Sequence, residues 1–302
     1  MNRQLVLVHG RAQQLKDPDA LKVEWLDALA EGLAKSGLAL PVAAADVRFP
    51  FYGDALVDRV ADVPAELASA VVVRGGDIDD EERQFLREVL TETHLQAGVT
   101  AEQITEMGSL DVVQRAGWPD SAWAHAVLKA VDRYVPYASG AGIAVATHDV
   151  YRYLTDSLIR EEIEEGISAA VTPGVETVVV GHSLGTVVTY NLLRREGHLR
   201  GWRVPCFVTL GSPLAVTAIR RKLRSLAPIR RPACVDTWYN ARDRRDLVAL
   251  YPLDTERFPI IPEEPPIQHH DAVRNHTDNR HGIAGYLADA VVARWIHDAL
   301  TA

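Results

Sequence analysis

The sequence predicts an α/β fold, with a mostly parallel central sheet flanked by helices, in one domain of 302 residues. Three features carry that expectation. The apolar, β-branched run Val178-Val179-Val180 breaks at Gly181-His182-Ser183-Leu184-Gly185 and gives way to a helical pattern. It spells strand, sharp turn and helix, with a serine at the apex. Upstream, Val150, Leu154, Leu158, Ile163 and Ile167 form one stripe of a helix over Asp149–Val171, with Glu161, Glu162, Glu164 and Glu165 mostly opposite. That helix runs through Pro173-Gly174 into the strand, and such strand–helix–strand rhythm builds parallel sheets. Finally, a chain of this length buries roughly 75% of its unfolded surface, enough for one large core.

The remaining elements follow in order. Gln4–Val8 is a buried strand that stops at His9-Gly10-Arg11-Ala12. Asp19–Ser36 is a helix whose stripe is Leu21, Trp25 and Leu29, joined by Leu26 and Leu33, with Gly37 as its stop. Val42–Phe49 reads as a strand ending in Phe49-Pro50-Phe51-Tyr52-Gly53. Phe51 and Tyr52 either pack under a loop or form a wall of a substrate pocket. Residues 54–149 fit the alternation poorly. They hold the charged run Asp77–Arg83, a solvated face or helix start, then amphipathic pieces around Glu82–Leu90 and Ala122–Tyr134. Breaks fall at Gly98, Gly108, Gly117, Pro119 and Pro136. This segment reads as a largely helical cap inserted into a core of residues 1–53 and 150–302. Its Trp118 and Trp123 are candidates for the pocket or for the core of the cap. Val204–Leu210 and Cys234–Asn240 are further strands, and Ile283–Leu300 is the closing helix.

Composition excludes several classes. A net charge of −9 argues against a nucleic-acid partner held through its phosphates. The 2 cysteines, Cys206 and Cys234, lie in apolar runs and read as small buried hydrophobes. Leu5–Val8 is too short for a signal peptide, and no apolar run approaches the ~20 residues of a membrane span. A cytoplasmic protein without stable membrane insertion is expected. Arg220, Arg221, Lys222, Arg224, Arg230 and Arg231 form a basic cluster, read as a solvated helix face or an interaction surface.

Glycine on both sides of Ser183 removes the Cβ atoms that would clash in so tight a turn. The hydroxyl then stands above the sheet edge, with helix-terminal N–H groups beneath it. At this point the chain resembles the α/β-hydrolase superfamily, and Gly-His-Ser-Leu-Gly resembles its lipase and esterase branch. The resemblance covers the core but not the cap. It implies that Ser183 is a nucleophile and that the His9-Gly10 loop completes an oxyanion hole, Arg11 and Leu184 each giving a backbone N–H. The Arg11 side chain then either meets an anionic group of the substrate or points to solvent. Gly211-Ser212-Pro213 is also lipase-like; Ser212 is a rival nucleophile or caps the helix that follows. The superfamily places its acid just past the next strand. Asp246-Leu247-Val248 resembles that segment and makes Asp246 the first choice, with Asp243 as the alternative, tying down the loop. Its histidine comes last, before the closing helix, which points to His281, with His276 second. The histidine-rich span around Asp271 and Asp278 has no helical H-x-x-x-H pair, so no metal and no cofactor are expected.

The resemblance therefore implies a serine hydrolase of carboxylic esters, acting on a small-molecule ester with an apolar moiety. Phe51, Tyr52, His182 and Trp118 are candidate pocket residues. A thioesterase, an amidase or peptidase, and an acyltransferase share the same chemistry. A binding protein on a hydrolase scaffold is the alternative of a different class.

Overall fold

The structure, a computed structural model, describes residues 3–10, 17–52, 79–108 and 120–302. Strands β1 (Gln4–Val8), β2 (Val47–Arg48), β3 (Thr177–His182), β4 (Val204–Leu210), β5 (Val235–Ala241) and β6 (Gln268–His270) form one parallel sheet in the order β2-β1-β3-β4-β5-β6. The helices are α1 (Pro18–Ala34), α2 (Asp80–Gln96), α3 (Ala101–Met107), α4 (Asp120–Tyr134), α5 (Gly140–Thr155), α6 (Ser157–Ala170), α7 (Leu184–Leu192), α8 (Thr217–Leu226), α9 (Ile283–Leu287) and α10 (Ala290–Thr301). From β1 the chain goes one way to β2 and the other way to β3. The crevice where the strand order reverses, at the carboxyl ends of the strands, is where α/β sheets place their sites. Val8 pairs with Gly181, so His9-Gly10 and His182-Ser183 leave the sheet side by side at that switch point.

Alternate residues of each strand face opposite layers. Leu5, Leu7, Val178, Val180 and Val208 pack against α1, α9 and α10, whereas Val6, Val8, Val179, Phe207 and Trp238 pack against α5 to α8. Burying each such side chain contributes about 1.5–3 kcal/mol. A third cluster joins Leu86 and Leu90 of α2, Ile104 of α3, Val127 and Val131 of α4, and Ile143 of α5. Helix α5 serves both the sheet layer and this helical cluster, so it holds the two together.

Several boundaries differ from those the sequence suggests. Over Val42–Phe49 only Val47–Arg48 is strand, because Ala44–Asp46 coils into a 3-10 turn closed by Asp46 N–H on the Ala43 carbonyl. Alanine and aspartate have little preference for the pleat. The helix over Asp149–Val171 is two helices, the first starting at Gly140. Asp156 leaves helical conformation between them, and its carboxylate accepts N–H bonds from Leu158 and Ile159. This cap shifts the second helix by one residue. Ile159 joins Ile163 and Ile167 in the core, and Leu158 is 57% exposed instead. The closing helix breaks in the same way, at Asp289, which caps α10 through Val291 and Val292. Strand β6 carries no period in the sequence, since it is three residues long.

Part of the basic cluster is engaged by neighbouring elements, while Arg224 is exposed. Arg221 pairs with Glu88 at 2.7 Å, Lys222 pairs with Glu81, and Arg220 donates to the Arg257 carbonyl. α8 thus docks against the acidic side of α2. Cys206 and Cys234 are buried free thiols, and burial pushes them up to about 12 and about 11. Among the described residues no helix is long and apolar enough to cross a membrane.

Candidate active site

β3 passes into α7 through a single residue. Ser183 has φ 55° and ψ −127°, a conformation that costs a non-glycine residue roughly 1–3 kcal/mol. Its N–H donates to the Leu210 carbonyl at 3.0 Å, and its own carbonyl accepts from the Thr186 N–H and hydroxyl at 2.9 and 2.7 Å. The glycines flanking it are steric necessities. A Cβ on Gly185 would lie 2.4 and 2.5 Å from the Val8 and His9 carbonyl oxygens, and one on Gly181 would lie 3.0 Å from the Gly185 oxygen. A Cβ on Gly10 would come 2.7 Å from the Ser183 Cβ, so the chain after β1 runs directly against the serine. Because backbone atoms cannot yield, Gly185→Ala is expected to destabilise the fold by about 1–3 kcal/mol. Urea denaturation measures this, and an unchanged midpoint would refute the close approach.

Ser183 Oγ lies 2.8 Å from His281 Nε2, and His281 Nδ1 lies 2.7 Å from Asp246 Oδ2. A carboxylate can only accept at Nδ1, so Nδ1 carries the proton and Nε2 presents its lone pair to the serine. Asp246 is fully buried. Its Oδ2 also accepts the Tyr286 hydroxyl at 2.6 Å, and its Oδ1 accepts the N–H groups of Val248 and Ala249 at 2.8 and 3.3 Å. Burial alone would raise this carboxyl, but the His281 interaction and these hydrogen bonds outweigh it and hold Asp246 below the usual carboxylate range.

Asp243, the alternative acid, faces elsewhere. It accepts from the Arg245 backbone and side chain and, at 2.8 Å, from the Asn275 N–H. It thereby ties the turn after β5 to the loop that carries His281. Buried Asn275 extends this tie, donating to the Gly282 carbonyl at 2.8 Å and accepting from Thr277. Neither Asn275 nor Tyr286 stands out in the sequence. Asn275 looks like any loop asparagine, and Tyr286 like a core aromatic of the closing helix.

The other candidates fall into place around this line. Leu184 is the first residue of α7, so its N–H follows the serine directly. Arg11 and Trp118 lie outside the described residues. His182 lines the cavity above Ser183 and donates from Nε2 to the His281 carbonyl at 2.8 Å. Burial, reinforced by the neighbouring His281, pushes it down to about 3 and keeps it neutral. Phe51 and Tyr52 are not among the described residues lining the cavity. Tyr52 stacks on His9 with ring centroids 4.0 Å apart, donates its N–H to His9 Nε2 and bonds its hydroxyl to the His9 carbonyl. Phe51 packs against the same ring at 5.2 Å. These aromatics therefore support the loop after β1. His9 is buried among them and pushed down to about 4. Ser212 does not cap α8, which begins at Thr217. Its Oγ bonds the Thr186 hydroxyl at 2.8 Å and accepts from the Leu214 N–H. His276 is exposed, in a separate cleft beside Lys35 and Asp289.

A cavity of ≈ 320 Å³ opens over Ser183 and His281, with Glu24, Ser139, Arg245, Thr277 and Asn279 among its polar walls. Among the described residues no three His, Cys, Asp or Glu side chains gather to hold a metal ion. Compared with protein-family models, with curated proteins and with solved structures, the chain finds no match.

Proposed function

We propose that the protein is a serine hydrolase of the α/β-hydrolase type that cleaves carboxylic esters. One observation carries the proposal: a strained serine at the carboxyl edge of a parallel sheet, in line with a histidine and a buried carboxylate at 2.8 and 2.7 Å. Three residue types in that order have a shared task in acyl transfer.

His281 Nε2 takes the Ser183 proton as Oγ bonds to the substrate carbonyl carbon. The imidazolium so formed is held by Asp246, and the developing oxyanion lies within reach of the Leu184 N–H at the positive end of α7. As the tetrahedral adduct collapses, its bond to the alkoxy oxygen breaks and His281 returns the proton to that oxygen. Water then attacks the acyl-enzyme, giving its proton to His281, and the serine regains it as the acid departs. The helical cluster of α2 to α5 would act as the cap of this site.

The test is covalent. Incubated with a fluorophosphonate, the protein is expected to gain one adduct, which peptide mass spectrometry should locate on Ser183 and which Ser183→Ala should lose. Absence of labelling on folded protein would overturn the proposal in favour of a binding protein.

A further inference from the structure

We infer that the substrates are esters of short, unbranched acyl groups, acetyl to propionyl, and that the walls of a narrow apolar crevice beside Ser183 set this limit. The inference rests on the proposed hydrolase activity. Two spaces meet at the serine. The larger, ≈ 320 Å³, is lined by both Ser183 and His281. The smaller holds ≈ 20 Å³ and runs from Ser183 between α5, α8 and the segment after β5. Val89, Ile143, Val150, Val216, Ile219 and Leu250 form its walls, and all are buried.

The chemistry assigns the two halves of an ester to these spaces. The leaving oxygen must receive its proton from His281 Nε2, so the alcohol half belongs in the space that His281 lines. The acyl half has to point away from the histidine, into the crevice, where His281 is not among the described lining residues. The polar group Thr147 Oγ1 in that wall already donates to the Ile143 carbonyl at 2.8 Å, and among the described residues no charged side chain lines the crevice to meet a charged acyl group. A space of this size admits little more than one water-sized group, since one probe sphere takes about 10–15 Å³. Beyond the α- and β-carbons a chain would have to push apart a close-packed wall.

The experiment is a chain-length series of p-nitrophenyl esters, from acetate to decanoate, run on the intact protein and on Ile219→Ala and Leu250→Ala. For the unmodified protein kcat/KM is expected to peak at acetate to propionate and to fall at least about 30-fold by octanoate. In the variants the octanoate-to-propionate ratio is expected to rise at least about tenfold. A ratio measured within one protein cancels any loss of folded material. Equal or better turnover of octanoate by the unmodified protein, with Ser183 labelled by fluorophosphonate, would overturn the inference and leave the hydrolase standing. Unchanged ratios in both variants would also overturn it, because the walls would then not set the limit. Failure of both ester turnover and fluorophosphonate labelling would remove the hydrolase reading itself, and the inference with it.

Discussion

His281→Ala is expected to lower kcat for p-nitrophenyl propionate by about 10⁶-fold, and Asp246→Asn by about 10⁴-fold. The difference follows from what each group does. Without the imidazole, Ser183 Oγ loses the base to which it is hydrogen-bonded, and a neutral hydroxyl is a poor nucleophile. Asparagine at 246 keeps the shape of the carboxylate but presents an amide, which no longer favours the proton on His281 Nδ1 or stabilises the imidazolium. Asp243→Asn makes the informative contrast. Asp243 touches Arg245 and Asn275, not His281, so its loss is expected to weaken the fold while kcat per folded molecule stays within about tenfold. The double variant His281→Ala/Ser183→Ala is expected to be no slower than His281→Ala, since the residues act as a unit. Steady-state rates normalised to folded protein by circular dichroism decide the matter. If Asp243→Asn costs as much as Asp246→Asn, the assignment of the acid is wrong.

Acidification is expected to remove on the order of 5 kcal/mol of stability between pH 7 and pH 4.5. His9 and His182 are the cause. Burial pushes them down to about 4 and about 3 from an ordinary value of 6.5, so both stay neutral in the folded protein well below the pH at which the unfolded chain protonates them. The unfolded state therefore binds more protons throughout that window, and stability rises with pH across it. The contribution is fully present above 6.5 and is lost progressively as pH falls toward 4 and 3. Each unit of separation is worth about 1.4 kcal/mol, so two groups across two units account for the figure. Such a loss rivals the whole stability of many domains. Urea midpoints at a series of pH values measure it. His9→Gln keeps an acceptor for the Tyr52 N–H without a titrating group, and is expected to flatten the pH dependence by about half. A midpoint that does not move between pH 7 and 4.5 would show that neither ring is held neutral.

Much of this molecule was legible in the sequence because its determinants are local. The turn at Ser183 is written in two glycines and a β-branched run, since only glycine tolerates the 2.4 Å approach of a carbonyl oxygen at position 185. Amphipathic periods identified α1, α2 and α4, and the alternation of strands and helices identified the parallel sheet. The named serine, aspartate and histidine are the residues that the fold brings within hydrogen-bond distance. That meeting itself was decided by tertiary structure. It joins groups 98 and 35 residues apart, and in the sequence only the likeness of Asp246-Leu247-Val248 to a known segment set Asp246 ahead of Asp243. The same holds for Tyr286 and Asn275, whose roles exist only once the closing helix is packed, and for Phe51 and Tyr52, which close on His9 and leave the cavity to others. Single caps at Asp156 and Asp289 broke helices that periodicity drew as continuous, because one carboxylate bonding two N–H groups outweighs a stripe that can resume one residue later. The sequence, then, determined where the backbone must turn and which chemistry stands at the turn. Packing across the sheet decided which distant groups meet there and how much open space lies over them.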